Sequence, residues 1–152
     1  MSAEAPIHYG QPGGMTGAFQ CSKSSDLTFT DIIASLRREV EAAGLRMLHE
    51  IDPQKVLQRG GHAIGAARQI LFFHPDLMVR LLTADASALL EAPLKLAVIE
   101  LPDSRITIRW IDPAVAFARY DNQALTILGQ ELAVLCEHIV SESLAPRFGA
   151  LG

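Results

Sequence analysis

Residues 94–111, LKLAVIELPDSRITIRWI, decide the fold. Two runs rich in apolar residues, 94–101 and 105–111, flank Pro102-Asp103-Ser104, a combination that favours a tight chain reversal. In the second run Ile106, Ile108 and Trp110 alternate with Arg105, Thr107 and Arg109. Successive side chains of a strand point to opposite faces, so this strand has one apolar and one mixed face. The stretch therefore predicts an antiparallel β-hairpin that needs helices against one side only.

Working upstream, Arg68 to Phe73 form a short apolar strand, and His74-Pro75 turns it into a helix running to about Thr83. A further helical turn spans about residues 86–91, before Pro93. Earlier still, Thr28 and Asp31 have capping-box spacing, followed at helical period by Ile32, Ile33, Leu36 and Val40, with Gly44 as a left-handed stop. Residues 45–51 read as a strand closed by Asp52-Pro53, and a short helix over 53–58 ends at Gly60-Gly61. Downstream of the hairpin, a helix near 122–144 places Leu125, Leu128, Leu132, Leu135 and Ile139 on one stripe. Ile51-Asp52-Pro53 and Ile111-Asp112-Pro113 repeat one device: Asp accepts from first-turn amides and Pro takes the first helical position. The order predicts an α+β domain with a small antiparallel sheet packed by helices. Its second face is left for solvent, a ligand or another copy of the chain.

The 152 residues are 49% hydrophobic and 20% charged, which suits one core of the usual size. We divide them into a flexible lead-in over 1–22 with a possible first strand near 18–22, one domain over 23–145, and a tail over 146–152. A net charge of −4 gives no basic footprint for nucleic acid, and no apolar run approaches the roughly 18 residues of a membrane span. Residues 1–17 have neither the basic start nor the apolar run of a secretory signal, which predicts a cytoplasmic protein. Of the two cysteines, Cys136 lies among Val134, Leu135 and Ile139 as a core filler. A pair with Cys21 is open to either redox state, the cytosol favouring the reduced one. Gly60, Gly61 and Gly65 form a loose loop without a nucleotide motif.

Over residues 27–140 the chain resembles the bacterial and archaeal family called domain of unknown function 302. The resemblance lies in Glu41-Ala42-Ala43-Gly44-Leu45, Leu48-His49-Glu50-Ile51-Asp52, Ile70-Leu71-Phe72-Phe73-His74-Pro75 and Trp110-Ile111-Asp112-Pro113. It implies a twisted antiparallel sheet of TATA-binding-protein-like architecture and a tendency to form a homodimer; it does not imply DNA binding, and the acidic balance argues against it. Many relatives carry cysteines where this chain has Phe73 and Leu94, so a thiol role there is unsupported.

The resemblance also implies a non-covalent b-type haem. Among the five histidines, His74 suits that role best, because in an extended segment Ile70, Phe72 and His74 share a face. His49, sharing a face with Met47 and Ile51, reads as a core histidine; His62, in the glycine loop, reads as a distal group. The expected site is thus His74 as iron ligand, Phe72 as apolar wall, and Arg68 and Arg109 as propionate partners. The competing reading of His74 is a plain lead-in to a helix beginning at Pro75. Two functions follow: a haem protein that senses or transforms a small ligand such as nitric oxide, nitrite or peroxide, or a cofactor-free dimeric binding module using the second sheet face.

Overall fold

A computed structural model describes residues 4–10 and 18–146 of the chain. Residues 1–3 and 11–17 of the expected lead-in, and the tail beyond residue 146, lie outside the described residues. The elements run β1 (Ala5–Pro6), β2 (Gln20–Ser25), α1 (Phe29–Ala42), β3 (Arg46–Ile51), α2 (Pro53–Arg59), β4 (His62–Ala63), β5 (Ala67–Phe73) and α3 (Pro75–Ala84). A 3-10 helix (Ala86–Glu91), β6 (Leu94–Glu100), β7 (Ile106–Ile111), α4 (Pro113–Ala118) and α5 (Gln123–Leu144) complete the chain. Five strands form one sheet in the order β2-β7-β6-β5-β3, every neighbour antiparallel. β1 and β4 form a separate parallel ribbon. The fold is α+β, as the order of elements predicts.

The alternation in residues 94–111 positions the core. Ile106, Ile108 and Trp110 of β7, Leu96 and Val98 of β6, and Ile70 and Phe72 of β5 are buried on one face. There they join Ile32, Ile33, Leu36 and Val40 of α1 and the inward stripe of α5. That stripe is Leu125, Leu128, Leu132, Cys136 and Ile139, with Leu135 only partly buried beside it. By length and composition α5 is apolar enough to cross a membrane, but its stripe is already occupied by the sheet-facing core. A Cβ built on Gly129 would lie 2.7 Å from both Phe117 Cβ and the Pro113 carbonyl oxygen, so only glycine lets α4 pack this close to α5.

Local chemistry closes the helices. Thr28, Asp52, Asp112 and Asn122 each accept a first-turn amide, as expected for N-caps. Gly44 ends the α1 region at φ +80, the left-handed region open to glycine. Three details differ from the sequence reading. The first strand begins at Gln20 and runs to Ser25 as an edge of the main sheet, so the domain reaches back before residue 23. A register shift between Met47 and His49 breaks the alternation and leaves His49 exposed rather than in the core. His62 pairs with Ala5 as part of the ribbon instead of lying in an open loop.

Candidate functional site

The face of the sheet turned away from the core is built in cross-strand rows. Ser22, Arg109, Ala97, Gln69 and Ile51 form one row; Ser24, Thr107, Ile99 and Ala67 form the next. β6 pairs with β5 back to Leu94, but with β7 only as far as Ala97 opposite Arg109. Beyond that point a cavity of about 420 Å³ is lined by Lys95 and Ile111 and by the core residues Trp110, Phe117 and Cys136. A second cavity, of about 400 Å³, is lined by Tyr9 and Gly10 after the ribbon strand β1, by Pro53 of α2, and by Ala67, Gln69 and Thr107 of the sheet. Ala97, Ile99 and Arg109 line both.

Polarity in this region is concentrated and incompletely paired. Arg109 Nη1 donates to Gln20 Oε1 at 3.2 Å, and among the described residues no carboxylate forms an ion pair with it. Thr107 is only 3% exposed, yet its hydroxyl has no hydrogen-bond partner among the described residues. Tyr9 Oη and Arg68 Nε are likewise buried and unpartnered, and all three residues line the second cavity. Buried polar atoms are ordinarily satisfied, so three around one cavity mark it as a place where a partner belongs. At the first cavity, burial pushes the Cys136 thiol up to about 12, which keeps it protonated and poorly nucleophilic near neutral pH. Cys21 and Cys136 are both free.

The four residues expected to hold haem are dispersed. His74 is the N-cap of α3: its Nδ1 accepts the Asp76 amide at 3.0 Å. A neutral imidazole accepting at Nδ1 carries its proton on Nε2, so neither nitrogen offers a free lone pair to iron in this arrangement. Phe72 is fully buried on the helix-facing side. Arg68 borders the second cavity, but its guanidinium reaches Glu50 at 3.2 Å and Asp52 at 3.5 Å and lies 5.7 Å from the Phe29 ring centroid. His74 and Phe72 line neither sheet cavity. This donor set does not fit a haem as arranged. Among the described residues no three His, Cys, Asp or Glu side chains cluster as a metal site. His74 thus takes the same strand-to-helix role as Asp52 and Asp112.

Of the four expected residues, Arg109 lines both cavities and Arg68 borders the second. Thr107 and Tyr9 were not singled out by sequence. Thr107 had a signal in its place on the mixed face of β7, whereas Tyr9 reaches the cavity through the non-local ribbon.

Glu50 anchors the opposite side of β5. Its carboxyl is held below the ordinary carboxylate range chiefly by the Arg37 hydrogen bond, with Arg68 adding and burial opposing. A depressed folded-state pKa contributes stability above the unfolded value of about 4.3, and that contribution disappears as pH falls through the folded value. Glu50→Gln is expected to flatten this part of the acid limb. Urea midpoints measured from neutral pH downward check it: an acid limb as steep as wild type would show that the Arg37–Glu50–Arg68 cluster contributes nothing.

The family model "Domain of unknown function DUF302" matches residues 21–142. The crystal structure of an uncharacterized conserved DUF302 protein from Bacillus stearothermophilus is similar in fold, with a TM-score of 0.77 at 15% identity over 83% of this chain and 98% of that chain. No curated protein matches the chain. With the family model spanning most of the sequence and the same sheet-and-helix fold in that neighbour, the chain belongs to the DUF302 family.

Proposed function

We propose that the protein is a cofactor-free binding module that takes a small molecule on the open face of its sheet. The observation that carries this reading is the meeting of two cavities at Ala97, Ile99 and Arg109. Their volumes, about 420 and 400 Å³, lie in the size range of small-molecule sites, roughly 300–1,000 Å³. An apolar floor removes ligand surface from water, and a guanidinium without a carboxylate partner among the described residues supplies orientation. Self-association belongs to the same proposal, because β2 and β3 each leave one edge of the sheet unpaired among the described residues.

Two titrations test the reading. Small fragments that raise the melting temperature of the wild-type protein are expected to lose that effect in Arg109→Gln, while haemin gives no near-stoichiometric complex with a strong Soret band. Fragment binding unchanged by Arg109→Gln would overturn the proposal. So would a stoichiometric haem spectrum that a folded His74→Ala variant abolishes.

A further inference from the structure

The geometry points to a small monocarboxylate with an apolar body as the occupant of the cavity beneath Tyr9. This assignment rests on the open face being a ligand site and specifies what that site accepts. Among the described residues the charged ones lining the cavity are Arg68 and Arg109, with no carboxylate. Arg68 is already paired with Glu50 and Asp52, whereas Arg109, bonded to the neutral Gln20, has no carboxylate partner among the described residues. One available guanidinium matches one negative charge, and its fork can donate two parallel hydrogen bonds to a carboxylate. A multiply charged phosphate would face a wall of Ile64, Ala67, Ile99 and Leu101 with too few donors to replace its lost hydration.

The unpartnered hydroxyls fit the same occupant. Thr107 and Arg109 are two residues apart on β7 and therefore point to the same face. Thr107 Oγ1 and Tyr9 Oη are buried without partners among the described residues, and each can donate to a carboxylate oxygen. The aliphatic wall then receives the rest of the molecule. A carboxylic acid provides acceptors for all three groups while filling the apolar space; a primary amide of the same shape lacks the charge that Arg109 would neutralise.

Isothermal titration with benzoate and hexanoate, against benzamide and hexanamide, tests the assignment. The acids are expected to bind saturably and about tenfold or more tighter than their amides, since a hydrogen bond to a charged group contributes more than a neutral one. Arg109→Gln should erase that preference. Thr107→Val, nearly the same shape, should weaken acid binding while raising the melting temperature of the ligand-free protein, because it removes an unpaired buried hydroxyl. A hydroxyl that was merely structural would not produce these opposite shifts. Amides binding at this face as tightly as acids would overturn the carboxylate assignment and leave the open-face site standing. Acids that fail to bind while other fragments bind in an Arg109-dependent way would do the same. Acid binding indifferent to both Arg109→Gln and Thr107→Val would overturn the assignment and the open-face reading together.

Discussion

Phe72→Ala is expected to destabilise the protein by about 3–5 kcal/mol, the cost typical of removing a large aromatic side chain from a packed core. Phe72 is 0% exposed and lies in the interior strand β5, opposite Leu94 of β6 and Met47 of β3. Its neighbours on both sides are fixed by backbone pairing, so the vacated space is poorly placed to collapse. Urea denaturation followed by circular dichroism gives the difference directly. A loss below about 1 kcal/mol would place Phe72 in a region that relaxes freely, contrary to its assignment as core. The same substitution distinguishes core from cofactor wall: a core role predicts a large effect on the ligand-free protein.

Leu132→Ala should have the next largest effect, about 2–5 kcal/mol. Leu132 is 1% exposed at the middle of α5, in the stripe with Leu128, Cys136 and Ile139. α5 packs against both α1 and α4, and Leu132 belongs to the core cluster that these helices share with the sheet. The neighbouring Val134 is 72% exposed and supplies the control: Val134→Ala should change stability by no more than about 0.5 kcal/mol. Equal losses at the two positions would mean that the inward face of α5 is wrongly assigned.

Much of this architecture was legible because its determinants are local. The alternation through Ile106, Ile108 and Trp110 states which side of β7 is buried, and Thr28, Asp52 and Asp112 mark where helices start. His74 shows the limit of that legibility. A histidine before proline at a strand end suits both an exposed ligand and an N-cap, and only the Asp76 amide at its Nδ1 separates the two. Residue 49 was misread for a related reason: one extra residue in an edge strand reverses every inside–outside assignment beyond it, and nothing in the local alternation announces the shift. The open face was legible as mixed, but its cavities were not. One depends on β6 and β7 separating after Ala97 and Arg109, which alternation alone does not encode. The other depends on residues 5 and 6 pairing with 62 and 63, which brings Tyr9 over a sheet formed by much later sequence.

The central claim is that a small molecule is held on the open sheet face around Arg109. Two-dimensional amide NMR of the full chain, titrated separately with benzoate and benzamide, tests it most directly. Saturable shifts are expected for at least one probe, concentrated at Ala97, Ile99, Thr107 and Arg109, with His74 and Asp76 unmoved. Saturable shifts centred on His74 and the start of α3, with the open face silent, would contradict it.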